Sequence, residues 1–223
     1  MKPRLYISDL AMLVVIALPL IYLYVIYGGL PAQVATHFNF KGEPDKISGK
    51  LTLWVVLGFT SGMSVLVYLL LRFLPVIDPK KMAKYSAATF NKMAVAVVLL
   101  IVCVNFLIIN AAQTGAFKFN KTMPVLLGAF FIFLGNILHS IKPNYFAGIR
   151  TPWTLESEET WRKTHQLGGK VWFVGGFLVI IAALVLPVPY NTYAMPCIIF
   201  CMAIIPVVYS YIYYKSIPKK ENQ

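Results

Sequence analysis

The chain has 223 residues, 59% of them hydrophobic and only 13% charged, with a mean hydropathy of +0.72. A soluble domain carries roughly 45–50% apolar and about 25% charged residues, so this composition excludes an ordinary soluble protein and indicates a membrane protein. The formal net charge of +12 does not indicate a nucleic-acid partner, because no compact basic patch with interleaved aromatic residues lies outside the apolar segments. We expect this charge instead in loops that orient the protein and meet anionic lipid.

Six apolar segments are long enough, or nearly so, to cross a bilayer as helices, which takes about 20 residues each. They are residues 10–30, 51–71, 93–115, 123–141, 171–188 and 194–214. Such segments form helices because a helix satisfies its backbone hydrogen bonds within itself. The first segment is too long for the apolar region of a signal peptide, and no clear cleavage site follows it, so we expect a retained span. The predicted fold is an all-α, multi-pass membrane protein with six transmembrane helices.

The distribution of lysine and arginine predicts how these spans are oriented. With the N-terminus inside, 15 of the 20 Lys and Arg residues fall in the inner segments and 5 in the outer ones. Cytoplasmic loops carry the excess of positive charge in membrane proteins. We therefore expect both termini in the cytoplasm, which requires an even number of spans. Asp78 before Pro79 predicts a helix start that extends the third span into the cytoplasm.

The first outer connection, residues 31–50, groups polar and aromatic side chains outside the membrane. Its candidate site residues are Pro31, His37, Phe38, Asn39, Gly42 and Asp45. Residues 42–45 favour a turn. A lone histidine with scattered acidic residues does not meet the spacing of a metal site, so we predict no metal here.

The inner connection, residues 142–170, is the most informative segment of the chain. Its prolines and glycine predict a first part that is irregular but rigid. The candidate site residues in that part are Pro143, Asn144, Gly148, Arg150, Thr151, Pro152 and Trp153.

A short helix is predicted to follow over residues 154–166, and Gly168 with Gly169 is expected to end it. Glu158, Trp161 and His165 share one face of that helix. Such a face is typical of a packed or partner-binding surface. It is also typical of a helix lying at the membrane interface, with the tryptophan among the lipid headgroups, and we expect such a short interfacial helix in this fourth connection.

Two polar residues, Asn136 and His139, lie one helical turn apart near the inner end of the fourth span. Polar side chains in a membrane tend to face the bundle interior, where they join helices or serve a function. We expect the same orientation here. The chain contains no P-loop, no dinucleotide-binding glycine motif and no zinc-protease or serine-hydrolase motif, so we predict neither an enzyme nor a cofactor.

The inner connection, KPNYFAGIRTPWTLESEETWRKTHQLGGK, resembles the signature of the SdpI family of bacterial membrane proteins. The outer stretch LPAQVATHFNFKGEPD is similar to the small N-terminal domain often found in that family, with Leu-Pro, His-Phe-Asn and Gly-x-x-Asp in the same order. The spacing from Asn136 through residues 143–145 to residues 148–154 also fits. The resemblance covers nearly the whole chain. It implies a two-span N-terminal unit, residues 1–77, and a four-span unit, residues 78–223, within one membrane domain of the bacterial cell membrane.

The resemblance implies an immunity protein that protects the producing cell from a secreted, membrane-active peptide toxin. It also implies a signalling role, in which the toxin-bound protein holds a winged-helix repressor at the membrane. The toxin would then meet the outer connection, and the repressor would meet the inner one.

The residues themselves leave other classes of protein open. A transporter would need spans broken by glycine or proline in matching halves, and Pro19 and Pro206 form no matched pair. An intramembrane enzyme would need ionisable groups to converge at one depth. The candidates for that convergence are His139, Arg150, Glu158 and His165. A family member with an unrelated role, for example envelope stress sensing, also stays open.

Overall fold

A computed structural model of the chain describes residues 6–39, 43–77, 86–115, 119–187 and 190–217. The elements within these ranges are α1 (Ile7–Ile26), β1 (Gln33–Phe38), β2 (Pro44–Gly49), α2 (Leu51–Ile77), α3 (Ala87–Thr114), α4 (Phe119–Leu138), α5 (Pro152–Glu156), α6 (Glu158–Val185) and α7 (Tyr190–Ser216). A 3-10 turn, Tyr27–Gly29, extends α1. Asp78 and Pro79, the predicted start of the third helix, lie outside the described residues.

Six of these helices, all except α5, are long and apolar enough to cross a membrane. Many of their large apolar side chains point away from the protein, such as Phe59, which is 70% exposed, and Phe200, which is 65% exposed. A soluble protein would bury such side chains, whereas a bilayer is as apolar as they are. The predicted all-α, six-span fold is confirmed.

The helices pack in two groups. Helices α1, α2 and α3 pack on one another, while α6 packs along α4 on one side and α7 on the other. Between the groups, α3 contacts α4. The division of the chain at residue 77 into a two-span and a four-span unit stays a prediction. Helix α3 lies after that boundary but packs mainly with α1 and α2.

The first outer connection forms a β-hairpin, which sequence reasoning treated as a loop with a turn. Strands β1 and β2 pair antiparallel, with Val34 opposite Ser48 and Phe38 opposite Pro44. Residues 44 and 45 therefore belong to a strand rather than to the predicted turn. The strands are short and polar, so their alternation was too weak to predict a strand. The hairpin lies at the opposite end of the helices from the connection between α4 and α6.

The predicted short helix over residues 154–166 is largely the beginning of α6, and only α5 is a separate short helix. Gly168 and Gly169 do not end it, since α6 continues without a break to Val185. The two glycines instead allow α4 to approach α6 closely. A Cβ atom on Gly169 would lie only 2.7 Å from the carbonyl oxygen of Gly135 in α4. Glycine is used here for helix contact rather than for helix termination.

Candidate functional site

The outer hairpin, residues 33–49, is anchored to the ends of three helices. Val34 is buried in a cluster that includes Leu53 of α2 and Ile109 of α3. The Lys50 Nζ atom donates hydrogen bonds to the carbonyl oxygens of Tyr27 at 3.0 Å and Leu30 at 3.2 Å. These contacts fix the base of the hairpin and leave its tip outside the helices.

The tip of the outer hairpin carries the predicted polar residues on an exposed surface. The His37 Nδ1 atom lies 2.6 Å from the Asp45 carboxylate, and these side chains are 67% and 43% exposed. The Asn39 side chain joins the ends of the two strands: its amide nitrogen donates to the Glu43 carboxylate at 3.0 Å, and its oxygen accepts from the Glu43 backbone N–H at 3.1 Å. Phe38 is the last residue of β1. Pro31, at the base, is exposed, and Gly42 lies outside the described residues.

At the other end of the bundle lies the inner loop, residues 139–151, which joins α4 to α5. Asn144 holds its first part. The side-chain oxygen accepts from the backbone N–H groups of Phe146 and Ala147, both at 2.8 Å. The amide nitrogen donates to the carbonyl oxygens of Lys142 at 2.9 Å and Ala147 at 3.1 Å. A buried asparagine with four such bonds is a structural residue that fixes the loop.

Trp161 and His165 form the centre of the inner loop's packing. Their rings stack with centroids 4.1 Å apart, and their exposed fractions are 1% and 0%. The indole N–H of Trp161 donates to the carbonyl oxygen of Ile141 at 2.8 Å. The alternative of a helix with Trp161 among lipid headgroups is therefore wrong, because the ring is enclosed by protein.

His165 uses both ring nitrogens to hold the loop. The backbone N–H of Ile149 donates to Nε2 at 3.0 Å, and Nδ1 lies 2.8 Å from the carbonyl oxygen of Trp161. Both bonds form when the neutral ring carries its proton on Nδ1. Gly148, with a φ of +118°, brings the loop backbone so close that a Cβ atom there would collide with His165 Nε2. Glycine is required at this position by both the dihedral angle and the space.

Thr151, Pro152 and Trp153 direct the chain from the inner loop into α5 and across to α7. The hydroxyl of Thr151 accepts from the Thr154 N–H, and Pro152 occupies the first helical turn, where proline is favoured. The indole N–H of Trp153 donates to the Ser210 hydroxyl of α7. Gly168 completes the packing, because a Cβ atom there would lie 2.5 Å from the Ile149 side chain. These motif residues build the loop and tie it to the helices.

Three predicted residues of the inner end remain exposed or partly exposed. Arg150 is exposed and donates to the carbonyl oxygen of Tyr145. Glu158 and Pro143 line a cleft of about 440 Å³, together with His139 and Arg162. His165, by contrast, is enclosed and uses both ring nitrogens in structural bonds. Of the four ionisable residues considered for an enzyme, His139 and Glu158 therefore line one cleft, while His165 is enclosed by protein.

Asn136 and His139 do not face the bundle interior as expected. Both are exposed, and they line an open groove between α4 and α6 with Gln166 and Lys170. The interior face of α4 is taken by Gly135, where the backbone of α6 comes too close to leave room for a side chain. Asn136 and His139, which we expected in the helix contact, therefore lie on the surface beside it.

A buried charge cluster at the inner ends of α1 and α2 escaped the sequence analysis. Asp9 is 4% exposed and accepts from the Tyr68 hydroxyl at 2.6 Å and from Arg72 Nε at 3.0 Å. The backbone N–H of Tyr6 donates to its second oxygen at 2.7 Å. Buried charges are retained when paired and hydrogen-bonded in this way. Both charged residues adjoin the ends of apolar segments, so they look like ordinary flanking charges in the sequence.

Ser86, immediately before α3, links that helix to the inner loop and was also missed. Its hydroxyl accepts from the Lys142 N–H at 2.8 Å and contacts the carbonyl oxygen of Ser140 at 3.4 Å. Nothing in the local sequence distinguishes this serine from others.

Six apolar helices with a hydrogen-bonded loop at one end and a hairpin at the other define a multi-pass α-helical membrane protein. Two family models match the chain. Residues 140–210 match the SdpI/YfhL protein family, and residues 14–60 match a domain of unknown function, DUF1648. The two matches confirm the resemblance found in the sequence: residues 140–210 are similar to the SdpI family, and residues 14–60 carry the N-terminal domain predicted from the outer stretch.

A curated relative matches nearly the full length. Immunity protein SdpI of Bacillus subtilis (strain 168) is 24% identical over 215 residues, which cover 94% of this chain and 97% of that protein. The similarity to this protein and the six apolar helices place the chain in the bacterial cell membrane as a multi-pass protein. No solved structure matches the chain.

Proposed function

We propose that this protein is a membrane immunity protein that protects the cell from a secreted, membrane-active peptide toxin. The observation that carries the proposal is its similarity, over 94% of the chain, to the immunity protein SdpI of Bacillus subtilis. The similarity includes both the outer hairpin and the inner loop, which lie in the two matched regions.

The outer hairpin is the proposed toxin-facing surface. Near its tip it presents the polar pair His37 and Asp45, and within β2 it presents the apolar side chain of Ile47, which is 62% exposed. A surface with charged, polar and apolar groups side by side suits an amphipathic peptide. With both termini inside, as the charge distribution predicts, this hairpin faces the side from which a secreted toxin arrives.

The inner loop is the proposed surface for a winged-helix repressor on the cytoplasmic side. Its buried residues hold its shape, and the side chains exposed on this surface include Tyr145, Phe146, Arg150 and, on α5, Leu155. Aromatic residues and arginine are enriched in protein interfaces. An interaction here would use the exposed side chains while Trp161 and His165 keep the surface in place.

Helix α3 is the proposed connection between the two surfaces. Ile109 near its outer end packs in the cluster that holds Val34 of the hairpin, and Ser86 at its inner end binds the backbone of the inner loop. The 28 residues of α3 form a rod about 40 Å long. Toxin binding would shift the protein between two states only if the toxin binds one of them more tightly.

The test is survival of a toxin-sensitive bacterium that expresses the chain, combined with recruitment of a co-expressed repressor to the membrane fraction. We expect the wild type to protect against the cognate or a related membrane-active peptide. The double variant H37A/I47A is expected to lose protection, because it removes exposed hairpin side chains. R150A is expected to protect but to lose recruitment, whereas the matched variant K215A should retain both. If no peptide in a panel is resisted by cells with correctly inserted protein, the immunity proposal is wrong.

A further inference from the structure

A groove of about 630 Å³ runs between the inner halves of α4 and α6, on the outside of the helix bundle. Its polar lining consists of Asn136, His139, Gln166 and Lys170, all of them exposed. Gly135 and Gly169 form part of its lining, and their missing side chains allow the two helices to come into backbone contact. The groove thus combines a polar lining with direct access from the bilayer.

The position of these residues along the helices places them at the level of the lipid headgroups. A bilayer core takes about 20 helical residues, and counting that length back from Val185, the outer end of α6, reaches Gln166. On the other wall, α4 ends at Leu138, so Asn136 lies in its last turn. The polar side chains therefore line the groove where hydrocarbon gives way to headgroups.

Three of the four polar side chains have no partner among the described residues, whereas His139 Nε2 lies 3.3 Å from the Ser140 hydroxyl. In the ranges that the structure describes, Lys170 forms no ion pair, and Asn136 and Gln166 form no side-chain hydrogen bond. Among the described residues that line the groove, none is acidic. Uncompensated amide and ammonium groups facing a membrane are costly. A negatively charged hydrogen-bond acceptor bound in the groove would offset this cost.

The groove becomes apolar toward the middle of the bilayer. One turn beyond Lys170, Phe173 and Val174 line it with exposed fractions of 40% and 56%. A positive, hydrogen-bonding end joined to an apolar end matches a molecule with an anionic head and a hydrocarbon tail. Basic pockets between transmembrane helices on the cytoplasmic side bind anionic lipid headgroups.

We propose that this groove is a binding site for an anionic phospholipid. The phosphate lies against the Lys170 ammonium group and the amides of Asn136 and Gln166, and an acyl chain lies along Phe173 and Val174. The site does not depend on toxin immunity. A lipid in this position would contact α4 and α6 together and so stabilise their packing.

The test is a lipid titration of the full-length, delipidated protein in mild detergent, followed by native mass spectrometry. Phosphatidylglycerol and phosphatidylcholine with identical acyl chains are the probes. We expect phosphatidylglycerol to bind more tightly to the wild type. K170Q should weaken its binding about fivefold, the change that corresponds to about 1 kcal/mol for one lysine near an anionic surface.

Three matched variants make the result specific. K163Q removes the same charge from the same helix outside the groove and should leave the lipid preference unchanged. K170R keeps the charge and should keep the preference, and N136L should weaken binding without changing the charge. Thermal unfolding of each variant without lipid checks that it is folded.

Three results would overturn the proposal. Equal binding of both lipids to the wild type, or equal losses in K170Q and K163Q, would mean that no specific anionic site exists here. Unchanged lipid binding by K170Q, together with loss of toxin protection in cells, would assign the groove to a peptide. Loss of lipid preference with intact protection would support the lipid site and leave the proposed function untouched.

Discussion

His165 shows how a single residue can fix the shape of the inner loop. It accepts a hydrogen bond from the Ile149 N–H and stacks on Trp161 while being fully buried. From the sequence alone, a histidine in a conspicuous motif was equally a candidate for partner binding. Burial decides in favour of packing, because a partner cannot reach a side chain that is enclosed by protein.

We expect H165L to lower the free energy of unfolding by about 1–3 kcal/mol, because the Ile149 N–H loses its acceptor. H165Q should lose less, since its amide oxygen can accept the same hydrogen bond. Thermal unfolding of the purified protein in detergent measures both variants. H139L, which changes an exposed histidine, is the control and should unfold close to the wild type. Equal losses in H165L and H165Q would contradict this role of the ring nitrogen.

At the scale of elements, the contact between α4 and α6 depends on two glycines in each helix. Gly128 faces Gly176 and Gly135 faces Gly169, so the contacts recur at an interval of seven residues in both helices. A Cβ atom on Gly128 would lie 2.7 Å from the carbonyl oxygen of Gly176. Small residues allow this backbone approach, and dispersion contacts then stabilise the pair in a membrane.

We expect G135V to destabilise the protein by about 1–3 kcal/mol or more, since the added side chain forces α4 away from α6. A Cβ atom there would lie 2.5 Å from the Phe173 backbone nitrogen. G58V is the matched control, because Gly58 of α2 has nothing within 4 Å of its Cβ position. The readout is the temperature at which the detergent-solubilised protein aggregates. A similar shift for both variants would mean that the α4–α6 contact is not the cause.

At the scale of the whole molecule, the hairpin and the inner loop are separated by the length of the helices. The charge distribution predicts that the hairpin faces outward. Labelling of single cysteines by a membrane-impermeant maleimide tests this, in a chain whose Cys103, Cys197 and Cys201 are changed to serine. I47C on the hairpin should react in intact cells, whereas F146C on the inner loop should react only after permeabilisation. The reverse pattern would invert the predicted orientation.

The sequence alone predicted the number of spans, because hydropathy and length are properties of each segment. It also predicted the similarity to the SdpI family, whose motif is a continuous stretch of chain. The ends of α6 were predicted less well, since Gly168 and Gly169 favour a helix end locally but are needed for contact with α4. The outer strands were missed because their polar composition carries little alternation.

The candidate functional residues, like the fold, could be predicted from the sequence only in part. The motif in the inner loop was found from the sequence, but its division into buried residues, such as Asn144 and Trp161, and exposed ones, such as Arg150, was not. The ion pair of Asp9 with Arg72 joins residues 63 positions apart, and no local pattern records it. The groove at Lys170 exists because two helices cross at glycines.

The sequence by itself therefore determined that this is a six-span membrane protein with an informative connection on each side. Each of those features depends on the hydropathy, charge and order of residues that are close together in the sequence. Only the tertiary structure decided which residues of the motif hold the loop and which remain available to a partner or a lipid. That distinction depends on the neighbours that packing brings together from distant parts of the chain.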